Sequence, residues 1–78
     1  MTPQQCRMAR AALQMGVREL SALAQVSTNT VTRLERGDGL YPRTAAAIRA
    51  VLEEAGVQFI DEDDVGGPGV RLRKNVGK

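Results

Sequence analysis

A group of polar side chains between residues 27 and 36 has the chemistry needed to bind nucleic acid. Asn29 can form two hydrogen bonds with adenine, and Arg33 can form two with guanine. Thr28, Thr32 and Arg36 add further hydrogen-bonding groups, and none of the five is acidic. They could act together only if one structural element presented all of them on the same side.

A helix over residues 28–36 would present them in this way. Val31 and Leu34 have the three-residue spacing of an inward-facing stripe, so the polar residues would occupy the outward face. Ser27 precedes the helix as its N-cap, and Gly37 supplies its C-terminal stop. The hydroxyl of Ser27 and the first N–H groups of the helix also suit a phosphate.

Three more helices are predicted from the spacing of apolar residues, over positions 3–14, 17–24 and 43–55. Short apolar or alternating segments at 57–60 and 70–73 predict a β-hairpin, followed by a frayed tail over Lys74–Lys78. The predicted core comprises Leu13, Leu20, Ala24, Val26, Val31, Leu34, Ile48 and Leu52.

The composition argues against most catalytic chemistry. The 78 residues include no histidine and one cysteine, Cys6, so a Cys–His pair and a histidine metal ligand are both excluded. The acidic run Asp61–Asp64 lacks the ligand spacing of a calcium loop. Only Tyr41 and Phe59 are aromatic, which disfavours stacking on single-stranded nucleic acid. We therefore expect no enzyme activity, no metal and no cofactor.

Charge and hydropathy fit a cytoplasmic, nucleoid-associated protein. The net charge is +2, and residues 1–60 hold seven arginines against five acids. A basic balance permits nucleic-acid binding without proving it. No apolar run approaches the roughly 20 residues that span a bilayer, so no membrane association is expected.

The segment RELSALAQVSTNTVTRLERG, positions 18–37, resembles the Xre/Cro helix-turn-helix family. Two short helices separated by about three residues are the plan of that motif. The resemblance extends from Thr2 to about Ile60. It implies an all-α fold, a compact domain of four to five helices with a short C-terminal β-hairpin. Residues 1–56 would form the DNA-binding domain, and residues 57–78 the hairpin and tail.

The resemblance also implies a function, that of a transcriptional regulator that binds double-stranded operator DNA, usually as a homodimer on a palindrome. A repressor that controls its own gene is the expected form. In such proteins the helix at 28–36 enters the major groove. Together with its polar outward face, this makes Thr28, Asn29, Thr32 and Arg33 the expected base contacts. The family's phosphate contacts map onto Ser27, Arg36 and Arg43.

Two departures from the family pattern leave an alternative open. Val17 stands where the family often has a glutamine that touches phosphate, and Gln25 stands where the turn usually has glycine. A relative of this kind can act instead as an antiactivator that binds another transcription regulator. Val17, the apolar segment 57–60 and the pair Arg71 and Arg73 fit that alternative.

Overall fold

A computed structural model describes residues 1–74 of the chain, so residues 75–78 of the predicted frayed tail lie outside the described residues. The elements in chain order are α1 (Pro3–Leu13), α2 (Val17–Ala24), α3 (Thr28–Arg36), α4 (Pro42–Glu54), β1 (Val57–Ile60) and β2 (Gly69–Leu72). Over this described part, none of the helices is both long enough and apolar enough to cross a membrane.

The ends of the helices follow from local capping chemistry. Thr2 and Gln5 form a capping box at the start of α1, in which each side chain accepts the other's backbone N–H, at 3.0 and 2.8 Å. The Ser27 side chain caps α3, and Gly37 ends it at φ 96°, a conformation that favours glycine. The predicted bounds and both predicted caps of α3 are confirmed.

Two glutamines adopt the left-handed backbone conformation that is usually adopted by glycine. Gln14 ends α1 at φ 56°, and Gln25 ends α2 at φ 59°. A β-carbon in this region costs about 1 kcal/mol or more. The turn between α2 and α3 therefore keeps its left-handed geometry despite the missing glycine, at some cost in stability.

The core lies where the four helices meet the β-hairpin. Its buried apolar residues are Cys6, Ala9, Met15, Leu20, Val31, Leu34, Ile48, Leu52 and Val57. Five of the eight predicted core residues are among them, whereas Leu13, Ala24 and Val26 are only partly buried and pack against the core from outside. Cys6, Ala9, Met15 and Val57, which the predicted list omitted, complete it.

The hairpin is part of this packing. β1 pairs antiparallel with β2 in the register Val57↔Leu72 through Ile60↔Gly69. β2 begins and ends one residue earlier than the predicted 70–73. The buried Gln5 amide donates to the carbonyls of Ile60 and Gly69, at 3.0 and 2.9 Å. This clamp ties α1 to both strands, and β1 supplies a buried side chain, Val57.

The expectation of an all-α fold is therefore wrong, whereas the expected number of helices, four to five, and the expected hairpin are both observed within residues 1–74. Residues 1–74 form four helices and a two-stranded antiparallel sheet, which makes the fold a small mixed α/β one. The physical reason lies after Gly56, where alternating apolar residues favour strands over a fifth helix. The sheet packs against α1 and α4, where Val57 is buried and Phe59 and Val70 are partly buried.

We expect Gln5→Glu to destabilise the protein by about 1–3 kcal/mol, the range for buried polar groups that lose their partners. A glutamate keeps the acceptor oxygen of the capping box but replaces the donating amide with a carboxylate that faces two carbonyls. Urea unfolding followed by circular dichroism measures the loss. Gln4→Glu, on an exposed neighbour, makes the same charge change and is the control. If Gln5→Glu and Gln4→Glu lower the free energy of unfolding equally, the hydrogen bonds from Gln5 to the hairpin do not stabilise the fold.

Candidate nucleic-acid interface

Packing against the core fixes the orientation of α3. The helix follows α2 after three residues and packs against α1 and α2. Val31 is fully buried and Leu34 is 8% exposed, so the predicted inward stripe is confirmed. The opposite side of α3 is consequently held in a fixed orientation toward solvent.

The residues predicted to contact DNA bases share that outward side. Thr28, Asn29 and Thr32 are exposed, and the Arg33 side chain is 43% exposed. The Thr32 hydroxyl donates to the Thr28 carbonyl at 3.0 Å, so it must give up this bond before it can donate to another partner. The helix brings these four side chains together, as the spacing requires.

The N-terminus of α3 completes this surface. The exposed Ser27 hydroxyl accepts the backbone N–H of Thr30 at 3.1 Å and lies 3.0 Å from the Thr30 hydroxyl. The N–H groups of Thr28 and Asn29 lie in the first turn, where a helix provides no carbonyl partner for them. Free N–H groups at the positive end of a helix dipole suit a phosphate oxygen.

Asp38 is an acidic neighbour of this surface that the sequence analysis did not identify. Its carboxylate accepts hydrogen bonds from Arg36, with N–O distances of 2.6 and 3.2 Å, and lies 4.0 Å from Nε of Arg33. The hydrogen bond from Arg36 lowers the pKa of Asp38. The chain reverses at Gly37, which brings Asp38 close to Arg33 and Arg36. The order Arg-Gly-Asp at the end of a helix was therefore the sequence signal that could have predicted this contact.

A cleft of ≈ 580 Å³ borders α3 on the side of the following loop. Thr30 and Arg33 form one wall, and residues 39–42 and 44 form the other. Arg43 is exposed in the first turn of α4, between two lining residues. The structure thus places Arg43 next to a cleft that Arg33 lines. Arg36 instead forms hydrogen bonds with Asp38.

A buried ionic network lies beneath α3 and joins it to α1. Arg10 donates two hydrogen bonds to the Glu35 carboxylate, at 2.6 and 2.8 Å, and the Cys6 thiol donates a third at 3.2 Å. Arg7 donates to the Glu35 carbonyl. Glu35 lies four residues after the buried Val31, so the helical phase could have placed it on the inner face.

The network shifts the pKa values of its two acidic groups, Glu35 and Cys6, in opposite directions. Burial would raise the pKa of Glu35, but the hydrogen bonds from Arg10 and Cys6 lower it below its ordinary value. Burial, and then the hydrogen bond to Glu35, raises the pKa of the Cys6 thiol to about 12. Cys6 is therefore a protonated core residue rather than a nucleophile.

Within residues 1–74, no three Cys, Asp or Glu side chains are grouped so that they could hold a metal ion. The feature with the clearest capacity to bind a ligand is the outward surface of α3 with its N-terminus. In comparisons with known proteins, the chain matches no family model and no curated sequence.

Proposed function

We propose that the protein is a transcriptional regulator that binds specific double-stranded DNA through α3. The observation that carries the proposal is the outward side of α3, where Thr28, Asn29, Thr32 and Arg33 share one face of a helix fixed by its buried stripe. These residue types pair with base edges in the major groove. An α-helix presented by a small domain fits that groove.

The groups around α3 suit the DNA backbone. Ser27 and the first-turn N–H groups flank the helix at one end, and Arg43 lies beyond the neighbouring cleft. Contacts of this kind position a protein on DNA without reading its sequence. Arg36 joins them once DNA phosphate replaces Asp38 as its partner, because a phosphate is also an anionic acceptor for a guanidinium and can accept two parallel N–H bonds.

Two copies would act together on a palindromic operator. One α3 reads only a few base pairs, and a symmetric pair of such helices about one DNA turn (~34 Å) apart reads two half-sites. Repression of its own gene is the regulatory outcome that we propose, with the protein acting in the cytoplasm at the nucleoid.

Selection from a random duplex library, followed by fluorescence anisotropy on the enriched sequence, tests the proposal. We expect enrichment of a sequence with two related half-sites and an affinity that falls steeply with salt. The DNA upstream of the protein's own gene should contain the same sequence. If no sequence is enriched and no salt-dependent binding is seen, α3 serves a protein partner, and the antiactivator alternative replaces this proposal.

Arg33→Ala and Arg43→Ala should separate base reading from backbone contact. Arg33→Ala is expected to lose about 1–3 kcal/mol of discrimination at one guanine while weak non-specific binding remains. Arg43→Ala should weaken binding to all sequences alike. It should also reduce, by about one unit, the slope of the logarithm of the affinity against the logarithm of the salt concentration. Binding to the selected sequence and to a scrambled duplex, measured at several salt concentrations, checks both expectations.

Arg18→Ala is the matched control, because it removes an exposed arginine from α2 with the same change in net charge. Arg43 suits the test better than Arg36, since Arg36→Ala would also release the Asp38 carboxylate beside Arg33. An Arg33→Ala variant that keeps full sequence preference would contradict the assignment of Arg33 as a base contact.

A further inference from the structure

Backbone hydrogen bonds at the end of α3 fix the position of Asp38. The N–H of Gly37 donates to the Leu34 carbonyl at 3.1 Å. The N–H of Asp38 donates to the Arg33 carbonyl at 3.0 Å. Because Gly37 is left-handed at φ 96°, this pair of bonds forms the Schellman type of helix end. Asp38 is therefore anchored to the last turn of α3, next to the surface that we assign to DNA.

A carboxylate is an unfavourable group in this place. The C-terminal end of a helix carries a partial negative charge, which cations stabilise and acids oppose. A negative charge beside a DNA-binding surface also repels phosphate. An asparagine would have nearly the same shape as Asp38 and would avoid both effects. The position of Asp38 therefore points to a use of its charge other than the stability of α3.

One carboxylate oxygen of Asp38 lies between two arginines. Oδ2 accepts hydrogen bonds from Nη2 and Nε of Arg36, at 2.6 and 3.2 Å, and lies 4.0 Å from Nε of Arg33. The distance to Arg33 is about 1 Å too long for a hydrogen bond. The Arg36 side chain is 61% exposed, against 43% for Arg33. In the free protein, Asp38 thus binds the outer arginine and lies close to the inner one.

We propose that Asp38 exchanges partners when DNA binds and then orients Arg33 for base reading. Arg36 is the more exposed of the two arginines, and its bonds to Asp38 break when it binds DNA phosphate. The released carboxylate needs to shift by only about 1 Å to accept the Nε–H of Arg33. This inference rests on the proposed function and deepens it, because it names a positioning residue for the base contact.

A carboxylate at Nε leaves the rest of the Arg33 guanidinium free for guanine. The guanidinium is planar and has five N–H donors, one at Nε and four on the two terminal nitrogens. A bond from Nε to Asp38 uses only the first of these, so both terminal nitrogens can donate to O6 and N7 of guanine. A side chain held in this way also loses less rotational freedom when it binds. Backbone contact by Arg36 would thereby strengthen base reading by Arg33.

Asp38→Asn tests the exchange, because it removes the charge and keeps the shape of an exposed side chain. Fluorescence anisotropy measures binding to the selected duplex, to the same duplex with A·T at the G·C pair where Arg33→Ala loses discrimination, and to a scrambled duplex. We expect discrimination between the first two to fall about threefold to tenfold. Affinity for the scrambled duplex should stay equal or rise up to about threefold, because a repelling charge is removed.

Asp64→Asn is the matched control, since it makes the same change in the exposed loop of the hairpin and should leave the discrimination unaltered. A double-mutant cycle then identifies the arginine through which Asp38 acts. In the Arg33→Ala background, Asp38→Asn should no longer affect discrimination at that base pair. In the Arg36→Ala background its effect should persist, because the carboxylate is already free to bind Arg33.

The outcomes separate this proposal from its alternatives. Equal gains in affinity for all three duplexes would mean that Asp38 is only a repelling charge, which overturns the proposal. An effect of Asp38→Asn on discrimination that survives in Arg33→Ala, or disappears in Arg36→Ala, would also overturn it. A wild type that binds none of the duplexes overturns the proposed function as well. If the wild type reads the selected sequence and Asp38→Asn behaves like Asp64→Asn, only the role of Asp38 is wrong.

Discussion

Arg10→Met is expected to destabilise the protein by about 3–5 kcal/mol, the typical cost of leaving one member of a buried ion pair without its partner. The side chains of Arg10 and Glu35 are only 21% and 10% exposed, and two short hydrogen bonds join them. Methionine fills similar space but provides no donor, so the Glu35 carboxylate keeps only the weak thiol bond from Cys6. Urea unfolding at pH 7 measures the loss.

The pH dependence identifies the cause of that loss. In the wild type the folded pKa of Glu35 is depressed, so its contribution is present above the unfolded pKa, about 4.3, and is lost as the pH falls through the folded value. Arg10→Met removes the strongest hydrogen bond that lowers this pKa. We therefore expect the difference between variant and wild type to be largest near neutral pH and to shrink in acid.

Two further variants make the ion-pair prediction specific. Arg18→Met changes an exposed arginine in the same way and should alter stability by no more than about 0.5 kcal/mol. Arg10→Met combined with Glu35→Leu replaces the pair with apolar side chains and should recover most of the loss. If the double variant is as unstable as Arg10→Met alone, the unpaired carboxylate is not the cause.

Leu34→Ala is expected to cost about 2–5 kcal/mol, the usual range when a buried leucine is truncated and leaves a cavity. Leu34 is 8% exposed within the core and holds α3 against the neighbouring helices. For a domain of this size such a loss can approach the whole free energy of unfolding. Thermal and urea unfolding, both followed by circular dichroism, check the prediction.

Leu23→Ala is the matched control for Leu34→Ala. Leu23 is 54% exposed on α2, so the same chemical change there should alter stability by about 0.5 kcal/mol or less. Similar losses at the two positions would mean that the inward stripe of α3 is misassigned. The orientation of Thr28, Asn29 and Arg33 toward solvent would then have no basis.

Local chemistry explains why much of the fold could be predicted from the sequence. Val31 and Leu34 define the phase of α3, and Ser27 and Gly37 mark its ends, so its bounds and outward side follow from nearby residues. The hairpin was predicted within one residue because strand alternation and a glycine-rich loop are also local signals. The error in fold class arose because the predicted hairpin was treated as an addition to an all-α domain, whereas its sheet packs against α1 and α4 and contributes Val57 to the core.

Long-range polar contacts could not be predicted in the same way. Gln5 reaches carbonyls 55 and 64 positions away, and Arg10 reaches Glu35 across 25 positions. Periodicity indicates which face of a helix is buried but not which distant group will meet it. Asp38 was missed for a similar reason, since its contacts with Arg33 and Arg36 depend on the chain reversal at Gly37.

The clamp from Gln5 to the hairpin has a consequence for how the chain acquires its structure during synthesis. The partners of an amide in the first helical turn are carbonyls translated 55 and 64 residues later. The helices can form early from local contacts, but the contacts of α1 with the last strand must wait until residue 72 has left the ribosome. Folding of this domain is therefore completed only after the hairpin has left the ribosome.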